Sequence, residues 1–166
     1  MNGRTRLCTG TVLGMGEWPE IEGVLEFPSG RRIRGGSWRH RAEFQPDPDF
    51  AIILLGREPT DAPWPYRWVR WPDFGVPADR MDALEALREA WSRSEQECVA
   101  IMCGGGIGRT GTALSALATL SGTTADQAIT WVRERYHPRA VETPWQRRWV
   151  RRLEPGNGSS QHPFSL

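Results

Sequence analysis

The sequence predicts a single α/β domain with a central, mainly parallel sheet flanked by helices. Three observations predict it. Short apolar runs alternate with helix-period stretches through the second half of the chain. Two of those runs, FAIILL at 50–55 and VAIM at 99–102, lack polar alternation, as strands buried on both faces do. A glycine-rich loop at 103–108 joins the second run to the next helical stretch.

The elements follow in chain order. A length of 166 residues fits one domain with a real core, drawn at 1–154, with residues 155–166 as a flexible tail. Residues 23–27, Pro-Ser-Gly at 28–30 and residues 31–34 read as a β-hairpin. The run PDPD at 46–49 punctuates the chain before the strand at 50–55, which Gly56 ends. Residues 67–71 form a further strand, stopped by Pro72. From 79 to 91, Met81, Leu84, Leu87 and Trp91 recur at helical spacing. After the strand at 99–102, residues 109–120 carry Leu114, Leu117 and Leu120 on one side of a buried helix that Gly122 closes. Two capping boxes, Thr124 with Gln127 and Thr143 with Gln146, open helices at 125–136 and 144–153, the second with Pro144 in its first position.

Composition excludes several functions. A net charge of +1 gives no bulk attraction to nucleic acid or to a membrane surface. No apolar run reaches the ~18 residues of a membrane span. The first fifteen residues lack the continuous apolar region of a secretory signal, so a cytoplasmic location is expected. Three cysteines do not suggest a disulfide framework. Cys98 and Cys103, five strand residues or ~16 Å apart, are too distant to pair, and Cys8 has no assigned place. His40, His137 and His162 are scattered and no Cys-x-x-Cys occurs, so no metal or other cofactor is expected. Arg31, Arg32, Arg34, Arg39 and Arg41 crowd one stretch with His40. A solvated hairpin face is the leading reading of it, and a patch that meets anionic substrates the second.

The chemistry sits in CGGGIGRTG at 103–111. A loop between a strand and a helix start aims backbone amides at one point, an anion site. Gly104, Gly105, Gly106 and Gly108 are expected to take positive φ and let the backbone approach a ligand closely. A thiol facing such a helix start and a guanidinium is held as thiolate, the competent nucleophile. Arg109 can hold two phosphoryl oxygens side by side, which lysine cannot. Cys103, the amides of 104–109 (Gly104, Gly105, Gly106, Ile107, Gly108 and Arg109) and the Arg109 fork then form one unit for phosphoryl transfer.

Cys-x5-Arg followed by Thr-Gly resembles the signature of the cysteine-dependent protein-tyrosine phosphatases. WPDFGVP at 71–77 is similar to their movable general-acid loop, and Gln146 in VETPWQ matches their water-positioning glutamine. The resemblance spans residues 71–146 and leaves the N-terminal third unmatched. It implies a compact fold like that of the dual-specificity members. It also implies a set of roles. Cys103 attacks phosphorus, and Asp73 protonates the leaving oxygen and then deprotonates water. Arg109 clamps the phosphoryl group, Thr110 donates to the departing sulfur, and Gln146 holds the water. The substrate it implies is a phosphate monoester, phosphotyrosine on protein first, with phosphate as product.

Alternatives stand beside this reading. Asp73 suits a turn after Pro72, Gln146 suits a capping box, and Thr110 suits an ordinary helix turn. Trp71 reads as a hinge anchor, and Glu58 as a remote support of the site. Tyr66 and Tyr136 do not identify a phosphotyrosine clamp. The family's histidine before the nucleophile is Met102 here, so the pH profile is expected to shift while activity survives. A phosphoinositide or other non-tyrosine ester is the second substrate class. A module that binds phosphorylated partners without turnover is the third reading.

Overall fold

The computed structural model describes residues 16–155 together with the backbone of residues 5–6 and 12–14. Apart from Pro155, the expected tail lies outside the described residues, as does Cys8. The strands are β1 (Thr5–Arg6), β2 (Val12–Gly14), β3 (Val24–Glu26), β4 (Arg32–Ser37), β5 (Phe50–Leu55), β6 (Tyr66–Arg70) and β7 (Val99–Cys103). The helices are α1 (Arg80–Arg93), α2 (Gly108–Leu120), α3 (Ala125–Arg135) and α4 (Pro144–Arg151). A 3-10 segment, Trp38–Glu43, follows β4.

β1 and β2 form a small antiparallel ribbon, and the main sheet runs β3-β4-β7-β5-β6. Its pairs are parallel except β3 with β4, the predicted hairpin. β7 lies in the centre, where Cys103 is level with Ser37 of β4 and Leu54 of β5. Apolar VAIMC is the consequence of a strand with neighbours on both edges and cores on both faces.

The two faces are covered differently. Ile101 and Cys103 face one core, to which all four helices contribute. Ala100 and Met102 face the other, roofed by loop residues Trp18, Phe44 and Trp64. Trp18 donates its indole N–H to Val99 O at 2.8 Å, so the roof is bonded to the central strand as well as packed on it. Several of the nine tryptophans are thereby explained as structure.

Each helix reports its own sequence signal. Asp79 caps α1 by accepting from the amides of Met81 and Asp82. Met81, expected on the core face, is 58% exposed because it sits in the first turn, before the buried stripe begins at Ala83. α2 is buried along its whole length, and Thr112, Ser115 and Thr119 satisfy their hydroxyls on carbonyls four residues back. Gly122 follows it with φ of 109°, as expected of a helix stop. The Thr143–Gln146 box closes reciprocally, whereas Thr124 only receives the Gln127 amide. The missing half is the return bond of the Gln127 side chain. Cys98 is held in a disulfide, contrary to the expectation of free thiols, and Cys103 remains a free cysteine.

Candidate active site

Cys103 ends β7 and is 2% exposed. The loop after it is shaped by pinning its carbonyls outward. Gly104 O accepts the Ser37 hydroxyl at 2.9 Å and the Arg39 amide at 3.2 Å, and Gly106 O accepts the Tyr136 hydroxyl at 2.5 Å. Among the described residues no protein acceptor takes the amides of 104–107. α2 also begins without a side-chain cap on Ile107. Uncommitted amides at a helix start are the donors an oxyanion needs.

The glycines divide the work unequally, correcting the expectation that all four take positive φ. Only Gly106 does so, at 72°, where a Cβ would also meet Gly36 C at 2.7 Å. At Gly108 a Cβ would lie 1.9 Å from Glu142 Oε2, the far end of an exposed side chain that can swing aside.

Arg109 joins this loop to residues 71–77. It is 5% exposed, donates from Nη1 to Trp71 O at 2.9 Å and pairs through Nη2 with Asp73 Oδ1 at 3.1 Å. The Asp73 side chain is 55% exposed, so water screens the pair and its worth is in placement. Arg109 Nε is buried without a partner. A buried donor left so costs roughly 1–3 kcal/mol, which a bound oxyanion would recover. Cys103, Asp73 and Arg109 line one pocket of about 150 Å³ with Gly105, Ile107 and Gly108.

The 71–77 loop is held from several sides. Trp71 is fully buried as the expected anchor, stacks edge-on with Trp149 at 5.3 Å, and donates its indole N–H to Gly75 O. Trp145 donates to Phe74 O, and Gln146 Nε2 to Gly75 O at 3.0 Å. Phe74 takes φ of 57°, a strained value beside Asp73 that the surrounding bonds hold in place.

The other expected residues are placed as follows. Thr110 is buried with its hydroxyl unpaired. Gln146 is fully buried behind the pocket, its Oε1 accepting the amides of Glu142 and Thr143. Its amide therefore ties α4 to the Asp73 loop. Met102 packs in the roofed core and faces away from Cys103, so support of the nucleophile loop passes to Ser37, Arg39 and Tyr136. Glu58 lies by Tyr66, outside the pocket lining. The arginine stretch disperses: Arg31 pairs with Glu95, Arg32 with Glu26, Arg41 with Asp61, and Arg34 lies over Phe44. Arg39 reaches the pocket.

Two residues near the pocket, Tyr136 and Glu142, were not read as part of it in the sequence, and Arg39 was named only as one of an arginine cluster whose second reading was a patch that meets anionic substrates. Glu142 follows Val141, whose φ of 59° is unusual for a β-branched residue and is stabilised by Arg133 donating to Val141 O at 2.9 Å. Position immediately before the Thr143 cap was the one available signal for Glu142. Tyr136 had none, because its role is to reach Gly106 from the end of α3.

Burial, and after it the nearby Cys103 charge, push the Tyr136 hydroxyl well above its ordinary value. The folded chain therefore keeps this proton where the unfolded chain releases it. Stability from this site is whole below about pH 10 and drains as pH rises further. Tyr136→Phe is expected to lower stability near neutrality by about 1 kcal/mol and to flatten the alkaline loss. Urea midpoints across that pH range measure both; an unchanged alkaline slope would count against the assignment.

Comparisons with known proteins identify the family and the fold. The sequence profile of the family described as protein-tyrosine phosphatase matches residues 54–139, more than half of the chain. Tk-PTP, solved in its active form, is 30% identical, covering 82% of this chain and 97% of its own with a TM-score of 0.63. A protein tyrosine phosphatase of Trypanosoma brucei shares the fold at 15% identity and a TM-score of 0.63, over 84% of this chain and 74% of its own. An uncharacterized protein of Methanocaldococcus jannaschii is 39% identical over 87 residues, 52% of this chain and 53% of that protein. The chain thus spans about half the length of that curated relative.

Proposed function

From the premise that this chain belongs to the protein-tyrosine phosphatase family, we propose that it hydrolyses phosphate monoesters, phosphotyrosine on protein first, through a cysteinyl-phosphate on Cys103. The observation that carries the reading is the Arg109 fork. One guanidinium bonds the Trp71 carbonyl and the Asp73 carboxylate and keeps a buried Nε without a partner, on a residue that lines the pocket with Cys103.

The steps follow from those positions. The Cys103 thiolate attacks phosphorus as the P–O bond to the leaving group breaks. The loop amides and Arg109 take the charge on the equatorial oxygens. Asp73 transfers its proton to the leaving oxygen, then takes one from the water that displaces sulfur. Thr110, with a hydroxyl free of other partners, donates to the departing sulfur. Gln146 is a positioning residue here. Release of its Nε2 from Gly75 O would let it hold the attacking water.

Turnover of a phosphotyrosine peptide without added metal tests the activity. Asp73→Asn tests the acid, since asparagine keeps the shape but has no proton of that acidity to give. With phenyl phosphate, whose leaving group needs the proton, kcat is expected to fall by about 10²–10⁴. With 4-nitrophenyl phosphate the loss should be much smaller. Equal losses on both esters would remove Asp73 from the acid role.

A further inference from the structure

We propose that Arg39 reads a second anionic group, carboxylate or phosphate, carried by the substrate beside the phosphate that is cleaved. The inference rests on the phosphatase reading above and narrows its substrate class.

Arg39 lines the same pocket as Cys103, Asp73 and Arg109. Its terminal nitrogen lies 3.9 Å from the point where a Cβ on Gly104 would stand, and Arg109 Nη2 lies 3.1 Å from that same point. Two guanidinium groups therefore converge over one glycine. Their charges are not equally compensated. Arg109 has Asp73, and Arg31, Arg32 and Arg41 each have a carboxylate. Arg39 has no ion-pair partner among the described residues, although Glu142 lines the same pocket. An uncompensated cation beside a second one raises the local potential, which a substrate with additional negative charge relieves.

Position makes Arg39 a reader of the neighbouring group. The equatorial oxygens of the phosphoryl group already have the loop amides and the Arg109 fork. Arg39 is exposed, at the rim, whereas Arg109 is buried. Its backbone amide is bonded to Gly104 O, so the residue stays in register with the loop while its side chain extends outward. His40, the next residue, lines an adjoining cleft of about 550 Å³ that shares Gly105 and Ile107 with the nucleophile pocket. Residues 39 and 40 thus border both spaces, where a substrate group flanking the phosphate would lie.

The test uses three phosphotyrosine peptides that differ beside the phosphotyrosine: glycine, glutamate, or a non-hydrolysable phosphonate side chain. At low salt the wild-type chain is expected to favour an anionic peptide in kcat/KM by about twofold to fivefold, the range of an exposed ion pair. The preferred peptide identifies carboxylate or phosphate as the ligand. Arg39→Gln should bring the ratio to about one, and Arg39→Lys should keep part of it. No preference in wild type, or an equal fall for all three peptides in Arg39→Gln, would overturn the proposal. Binding of the same peptides to Cys103→Ser separates the two readings. If no peptide is turned over but the Arg39-dependent binding preference persists, the reaction fails and the second-anion site stands. If that preference is absent as well, both fail.

Discussion

Replacement of Cys103 by serine is expected to lower kcat for a phosphotyrosine peptide by on the order of 10⁵, while inorganic phosphate still binds. The serine hydroxyl would be un-ionised at neutral pH. Of the two carboxylates lining the pocket, Asp73 is turned to Arg109 at 3.1 Å, and neither Asp73 nor Glu142 has a hydrogen bond to residue 103 among the described residues. The anion cradle should persist, since it is made of main-chain amides and of Arg109, none of which depends on sulfur. Rapid quenching followed by mass spectrometry should reveal a transient adduct about one PO₃H unit heavier in the wild-type chain and none in the variant. Activity within tenfold of wild type would place the nucleophile elsewhere.

Arg109→Lys should reduce kcat/KM by about 10³, nearly as severe a loss for a substitution that keeps the charge. Three directed N–H functions are in use or available at Arg109: to Trp71 O, to Asp73, and the buried, unpartnered Nε. A lysine ammonium is a single point that cannot satisfy a carbonyl, a carboxylate and two phosphoryl oxygens from one place. The variant should therefore lose affinity for orthovanadate and also loosen the Asp73 loop. The second effect is readable as faster amide hydrogen exchange in residues 71–77, where the Gly75 amide is bonded to Pro72 O. A loss in kcat/KM of less than tenfold, with orthovanadate affinity intact, would show that the cradle amides suffice alone.

The two halves of the site were unequally legible. Cys103 and Arg109 could be named from the chain because local backbone rules dictate their setting: a buried strand, a glycine-rich turn and a buried helix; Asp73 was named only through the resemblance of residues 71–77 to a general-acid loop, its local pattern suiting an ordinary turn. The same rules located the main-sheet strands and the helices to within a few residues. They misjudged Met81, because periodicity does not mark where a buried stripe begins. They expected positive φ at four glycines, because composition cannot separate a glycine needed for its backbone angle from one needed for clearance. Gly106 is the first kind, whereas at Gly108 a Cβ would meet only the movable end of the Glu142 side chain.

Tyr136 and Glu142 illustrate what remained hidden, and Arg39 what the chain offered only as one member of a cluster. Each reaches the nucleophile loop from an element distant in sequence, and none carries a local signature. The arginine stretch is the clearest case. Five guanidinium groups within eleven residues look alike in the chain, yet four are partnered elsewhere and one borders the pocket.

By itself, the sequence determined the order of the main-sheet strands and the helices, the glycine-rich loop between β7 and α2, and the cysteine and arginine at its two ends, because short-range sterics and hydrophobic periodicity act within a few residues. Tertiary structure alone decided which carbonyls of that loop are pinned, that Gln146 ties α4 to the loop at 71–77, and which arginine of the cluster borders the pocket. Those outcomes depend on contacts across the sheet and between helices, which exist only once the chain has closed on its core.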